Sequence, residues 1–355
     1  MNRHHFLSRT WAFAVMAGVL VAGALLAVLA PGAEAAVLAH PAAWLSDPAA
    51  VPAIGLGGLV VNQANLAHLF TGFKTTFQKG LGRSPGQHQL VAMTVPSGGR
   101  EEKYSWLGKV PAMREWIGDR VVQNLMQHDY AIKNKDWELT IGVDRNDIED
   151  DQFGIYAPLF EAMGESTGSH PDEMVFPMLP AGFGAACYDG QYFFDTDHPV
   201  LGADGQMTSV ANTDGGAGTP WYLMDLSRTL KPIIFQERKK PQFVAKDKTT
   251  DDNVFDRKQF VYGVDSRDNV GYGLWQLAWG SKQTLDSAHY AAARAALQGM
   301  KGDHGRPLGI RPTHLVVPPT LEGKALEIVN ADRAAAGATN VYKGTAQVVV
   351  VPWLA

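Results

Sequence analysis

The segment Cys187 to Val200, CYDGQYFFDTDHPV, gathers the residue types that do chemistry most densely: Asp195, Asp197 and His198 at the end, with Asp189 and Cys187 close by. Carboxylate oxygens and an imidazole nitrogen at that spacing could hold a divalent cation. Metal centres draw ligands from separated segments, however, and no His-x-x-x-His or comparable partner occurs elsewhere. The same residues build turns, so the segment reads as an aromatic strand closed by the turn Asp195 to Pro199. Cys187 has no histidine placed beside it by any sequence argument and reads as a buried structural thiol.

The remaining candidates are weaker. Asp144, Asp147, Glu149, Asp150 and Asp151 are clustered but lack the spacing of a calcium loop, and carboxylates at the positive end of a helix account for them. Gly215 to Thr219 lacks the lysine of a phosphate loop, and there is no Gly-x-Ser-x-Gly elbow. The eleven histidines are scattered; those at 170, 198, 304 and 314 adjoin prolines, glycines or turns and read as loop residues. No catalytic, cofactor-binding or metal residue is therefore assigned. The competing reading is an exported metal-dependent hydrolase or binding protein using Asp195, Asp197 and His198.

The elements around these residues begin with a spine. From Asp144 to Phe183 apolar residues recur at helical spacing, with Ile148, Ile155, Leu159 and Met163 forming a stripe and Tyr156 and Phe160 one step round. A second helix-start signal at His170-Pro171-Asp172-Glu173 and prolines at 177 and 180 predict one long, interrupted helix. Before it, Asn62 or Asn65 caps an arm helix carrying Leu66, Phe70, Phe73 and Phe77, ended by the stretch Gly80 to Gln87. Trp137 to Val143 alternates as a strand with one wet face, and Tyr130 and Ile132 suggest its hairpin partner. Arg114 to Arg120, REWIGDR, is dense in charge and aromatics and could pair with another chain. Strand-like pieces lie at Pro232 to Gln236 and Gln259 to Val264, separated by a mixed-charge run, Arg238 to Lys258, that reads as a solvated loop or edge. A helix over Ser281 to Gly299 capped by Asp286, a buried strand at His314 to Val317, a helix capped by Thr320 with Leu321, Ala325 and Val329 on one face, and a last strand from Gln347 to Trp353 indicate an α/β subdomain.

With 355 residues, 46% hydrophobic and 19% charged, the chain can bury one large core or two moderate ones. A net charge of −5 argues against a main task of gripping nucleic acid, and a single cysteine rules out an internal disulfide framework and any cysteine-based zinc site. Residues 1 to 58 stand apart. Arg3, His4, His5 and Arg9 precede the apolar run Trp11 to Ala30, and Ala33-Glu34-Ala35 resembles a cleavage site, as in a secretory signal or a membrane anchor.

Several long stretches resemble the major head subunits of Mu-like phages and prophages: VNQANLAHLFTGF from Val61, REWIGDR at 114 to 120, IEDDQFGIYAPLFEAMG at 148 to 164, HPDE at 170 to 173, CYDGQYFFDTDHPV, VVPPTLE at 316 to 322 and the ending QVVVVPWLA. The resemblance runs from about Val60 to Ala355. It implies an α+β chain with the capsid fold of tailed phages and herpesviruses: N-terminal arm at 59–84, extended β-hairpin loop at 85–143, spine helix at 144–186, and peripheral and axial subdomains over 187–355. It implies a structural, non-enzymatic subunit without cofactors. Its partners would be further copies of itself in pentamers and hexamers, scaffold/protease and portal proteins, and packaged DNA enclosed without sequence-specific binding. The mature icosahedral shell would contain no membrane. Because a head assembles in the bacterial cytoplasm, the resemblance implies that residues 1–58 reflect an upstream start and that initiation lies near Leu59, Val60 or Val61.

Overall fold

The computed structural model describes residues 60–84, 86–107, 130–150, 153–334 and 337–355. The signal-like stretch and the REWIGDR block lie outside the described residues. Leu59–Ala355 forms one compact unit, and among the described residues no helix is long and apolar enough to cross a membrane. In chain order its main elements are α1 (Gln63–Arg83), β1 (Ala92–Pro96), β2 (Lys135–Asp144), α2 (Ala157–Val175), β3 (Thr213–Gly216), β4 (Trp221–Met224), β5 (Ile233–Lys246), β6 (Gln259–Tyr272), β7 (Ala278–Lys282), α3 (Ser287–Gln298), β8 (His314–Val317), α4 (Glu322–Val329) and β9 (Gln347–Val350).

Two sheets organise two cores. The four-stranded sheet runs β1-β5-β6-β2, and its centre is the long antiparallel pair β5 and β6. The five-stranded sheet runs β9-β8-β4-β7-β3. The larger core gathers around the second sheet, with Trp221, Tyr222, Leu315, Val316, Tyr290 and Val329 among its buried residues. The smaller core lies where α1 and α2 meet the long hairpin, through Leu66, Phe73, Phe77, Phe160, Met163, Phe260 and Tyr262. Phe73 stacks on Phe160 with ring centroids 4.1 Å apart, and Tyr262 meets both edge-on.

The arm expected at 59–84 is thus a core helix. Asn62 caps it, accepting from the Asn65 amide at 2.9 Å. It does not stop at Gly80 but runs to Arg83, because Gly80 is where the spine touches it. A Cβ placed on Gly80 would lie 2.0 Å from the Glu161 carbonyl oxygen, and one on Gly164 would lie 2.1 Å from that of Phe77. The two helices cross backbone on backbone, and salt bridges from Lys79 and Arg83 to Glu161 flank the crossing.

The spine is interrupted at Pro177, one of the expected places, and also ahead of α2, but not at Pro171. A short helix, Arg145–Glu149, and a 3-10 turn, Phe153–Tyr156, precede α2. Pro171 does not break α2, which continues through it to Val175. Neighbouring contacts hold that turn: the Asp172 carboxylate accepts from the backbone amides of Gln87 and His88 and from the His88 ring, each at 2.8 Å. The real break falls at Phe176 and Pro177, followed by one helical turn, Met178–Ala181. The buried stripe is also rotated. Phe160 and Met163 are inside, whereas Ile155 and Leu159 are 65% and 47% exposed.

The hairpin expectation needs a larger correction. Trp137 to Val143 is a strand, but its partner is β6, with Val143 opposite Phe260 and Trp137 opposite Ser266. Ile132 instead pairs with Glu102 in a short antiparallel ladder of 101–103 with 131–133. The first part of the mixed-charge run is the edge that its charge pattern allowed: β5 continues to Lys246, beyond its last pairing with β1 at Glu237, alternating exposed and half-buried residues. The aromatics of 187–194 form no strand; the Asp189 and Asp195 side chains take the amides of Gln191, Tyr192 and Thr196, which a ladder would need. Asp286 caps α3 as expected, while Thr320 lies in a 3-10 turn without capping α4.

Two outcomes test this architecture in thermal melts of the 59–355 region. Gly164→Ala is expected to destabilise by roughly 1–3 kcal/mol through overpacking. Gly72→Ala, on the same pair of helices but with open space around its Cβ, should stabilise by about 0.5–1 kcal/mol. For Asp172, burial favours the neutral acid, yet the His88 ring and the two amides overcome it and hold the carboxyl below its usual range. That stability is present above the unfolded carboxyl value of about 4 and is lost as pH falls through the lower folded value. Asp172→Asn should therefore cost roughly 1–3 kcal/mol at neutral pH, with the gap to the parent closing in acid denaturation profiles below about pH 4.

Candidate functional site

The three residues of the hydrolase reading do not form one site: some loss of hydration and the nearby Asp195 carboxylate raise the Asp197 carboxyl, but His198 turns into the core. Asp195 closes its own turn, its carboxylate accepting from the amides of Tyr192 and Thr196 at 3.1 and 2.7 Å. Asp197 is exposed, whereas His198 is wholly buried. The reading fails because alternate residues in this turn face opposite ways, one to solvent and the next into the core.

His198 joins a different group. Its Nδ1 lies 2.7 Å from Asp189 Oδ2, and the Cys187 thiol donates to Asp189 Oδ1 at 3.0 Å. The turn at Gly190, with φ of +88°, folds Asp189 back to meet both. His198 stacks flat on Trp275, with centroids 3.8 Å apart and planes 9° from parallel. Its Nε2 faces Asn212 Oδ1 at 3.3 Å. Burial raises the Cys187 thiol, and the Asp189 charge adds to that. Burial opposes ionisation of Asp189 too, but the hydrogen bonds from His198 and Cys187 outweigh it and keep its carboxyl low. A protonated, enclosed thiol is no nucleophile. Among the described residues this is the one place where Cys, Asp and His donor atoms come together. The sequence hid it because the link spans eleven residues and depends on a single glycine turn.

The other candidates are structural. Asp144 caps the helix Arg145–Glu149 by accepting from the Asn146 amide at 2.8 Å, Glu149 pairs with Arg145 at 2.7 Å, and Asp147 accepts from the Tyr156 hydroxyl. Gly216 and Gly218 bring the edge strand β3 against the backbone of Lys282, and the Gly218 amide donates to its carbonyl at 2.8 Å. His170 lies inside α2, against Trp137, with Nε2 3.2 Å from Asp268.

The surface offers more than the interior. Phe255 is 87% exposed, on the short helix Asp252–Arg257 at the tip of the β5–β6 hairpin, ringed by charged residues. Ile155 and Leu159 stand outward at the head of the spine. Near them is an apolar cleft of about 320 Å³ lined by Asn65, His68, Leu69, Gly72, Phe73, Gly154 and Ala157. Such exposed apolar groups mark interaction surfaces.

A family model described as the Mu-like prophage major head subunit gpT matches residues 66–354. The chain is 41% identical over 305 residues to the major capsid protein of Escherichia phage Mu, covering 83% of this chain and 100% of that one. It is 47% identical over 268 residues to the Mu-like prophage FluMu major head subunit of Haemophilus influenzae, covering 74% and 87%. Among solved structures it is similar to the procapsid of bacteriophage JBD30, with a TM-score of 0.74, 45% identity and coverage of 82% and 100%. The JBD30 capsid gives 0.66, 34%, 83% and 100%.

The geometry predicts a contrast between neighbours. Asp189→Asn leaves a buried partner uncompensated and should cost roughly 3 kcal/mol, while Asp197→Ala should stay within about 0.5 kcal/mol of the parent. Urea titrations followed by tryptophan fluorescence measure both.

Proposed function

The chain belongs to the family of Mu-like prophage major head subunits, and from that premise we propose that its copies form pentamers and hexamers that close an icosahedral head around packaged DNA. The protein is a structural capsid subunit with the phage major capsid fold, and its family is not one of enzymes. The observation that carries the reading is the full-length likeness to the JBD30 procapsid chain.

The domain assignment follows the two cores. Within 187–355, the long β5–β6 hairpin, packed on α1 and the spine, suits the peripheral subdomain, and the five-stranded sheet with α3 and α4 suits the axial one. The ladder of 101–103 with 131–133 lies within the 85–143 region assigned to the extended hairpin loop and supports that assignment. Phe255 at the hairpin tip and Ile155 with Leu159 on the spine are surfaces for neighbouring copies. A closed shell needs heterologous contacts of this kind, in which different patches of one chain meet, and obligate interfaces bury on the order of 2,000 Å² or more. Scaffold/protease and portal proteins are the further partners. DNA is enclosed rather than read, in keeping with a net charge of −5.

Assembly takes place in the cytoplasm, and translation starts near Leu59, Val60 or Val61. The family match beginning at residue 66 supports that start.

Electron microscopy of the expressed protein, alone and with its scaffold, is expected to show regular shells or capsomers; a uniform monomer under both conditions would sink the reading. Phe255→Ser should leave the melting temperature unchanged while lowering shell yield. Intact-mass analysis of purified particles should give an N-terminus near residue 59, and one at Ala36 or Val37 would overturn the start assignment.

A further inference from the structure

The short helix Asp252–Arg257 at the tip of the β5–β6 hairpin holds one side chain out. Val254 is buried in the smaller core, while its neighbour Phe255 is 87% exposed. The tip is fastened on both sides: Asn253 Nδ2 donates to the carbonyls of Lys246 and Gln259 at 3.0 and 2.6 Å, and the Arg145 amide donates to the carbonyl of Lys258 at 2.8 Å. Lys258 closes the helix at a φ of +54°, a conformation a non-glycine residue keeps only where its surroundings impose it. An aromatic ring presented on so fixed a tip loses little freedom when it docks. Asp252, one turn before Phe255, shares its face of the helix, and Asp256 is next to it; both are exposed.

The cleft at the head of the spine is the matching hollow. It offers about 320 Å³, where about 150 Å³ of dry apolar cavity already takes a benzene ring. Leu69, Phe73 and Ala157 give it apolar walls, and Gly72 and Gly154 keep it open, since a Cβ on either would meet nothing within 4 Å. The chain's own Phe255 does not fill it, being exposed to solvent. The charge of the cleft complements that of the tip. No carboxylate lines it. The helix α1 contains no acidic residue and α2 has none in its first turn, so two positive helix ends lie beside the cleft without a carboxylate of their own. The nearby carboxylates of Asp147 and Glu161 are engaged by Tyr156 and by Lys79 and Arg83.

We propose that this cleft receives Phe255 of a second copy of the chain, with Asp252 and Asp256 set against the positive starts of α1 and α2. The inference rests on the reading of the chain as a shell-forming subunit and adds which two patches meet. The contact is heterologous, tip to spine, and each chain carries both halves, so one copy gives its Phe255 to one neighbour and receives that of another. Ile155 and Leu159, exposed near the cleft, widen the buried area once the tip is seated.

Copies carrying His68→Cys at the cleft are mixed with copies carrying Asp256→Cys at the tip, assembled with the scaffold and oxidised; the native Cys187 is buried and does not interfere. A disulfide-linked dimer is expected in shells of the mixture and in those of neither variant alone. Phe255→Ala, and Gly72→Met, which plugs the cleft, should each raise the concentration needed for shell formation at least tenfold with melting temperatures no lower than the parent's, and the double variant should be no worse than either single one. Shells of the mixture without the linked dimer, a dimer formed by one variant alone, or losses that multiply in the double variant would overturn the contact and leave the assembly reading standing. Failure of the parent chain to form shells would overturn both.

Discussion

The backbone contact between α1 and α2 sets the geometry of the rest. Gly80 and Gly164 let the two helices approach until their main chains touch, and only at that separation do Phe73 and Phe160 stack and both rings meet Tyr262 of the hairpin. The aromatic cluster then fixes where β5 and β6 lie against the spine, through Phe243 as well. Aromatic contacts of this kind add roughly 0.5–1.5 kcal/mol each beyond burial, so the crossing decides whether several such terms are available at once. Glycine there is a requirement of space, not of φ: both residues are ordinary helical positions.

Much of the fold was legible where local chemistry decides it. Asn62 and Asp286 cap helices because their side chains reach amides two or three residues on. His314 to Val317 reads as a buried strand because it is a short apolar run stopped by proline, and it is one. The strand at 137–143 was visible by alternation, but its partner was not. Gln259 to Asp268 lies more than a hundred residues away, and nothing within the window of a periodicity argument identifies it. The spine shows a subtler limit. Period alone placed an apolar stripe over 148–163; which edge of that stripe is buried depends on α1, so Phe160 and Met163 went inward while Ile155 and Leu159 stayed out.

The candidate site divides the same way. That Cys187 is a buried thiol and that helix electrostatics explains Asp144 to Glu149 could be reasoned from residue types. The convergence of Asp189 and His198 on Cys187 could not, since it depends on Gly190 adopting a positive φ and on Asn212 reaching in from the bend just before β3. The hydrolase reading used neighbours in sequence, and neighbours in an extended turn point apart. For a shell subunit the informative exceptions are on the outside. Phe255 breaks the rule that a charged hairpin tip should be polar, and such a break is expected where function, not stability, chose the residue.

The strand order of the five-stranded sheet has a consequence for biosynthesis. Its edge strand β9 pairs in parallel with β8, and Val349 and Val351 fill the larger core. Those residues follow every other strand of their sheet in chain order. Parallel pairing is slow compared with local helix formation, so the larger core stays open on one side until β9 has docked. A chain released early lacks the strand that seals it and exposes apolar surface to chaperones and proteases. The seal on the larger core is in this way made late: β9, with the residue that follows it, supplies both the outer ladder of the sheet and the side chains of Val349 and Val351 beneath it.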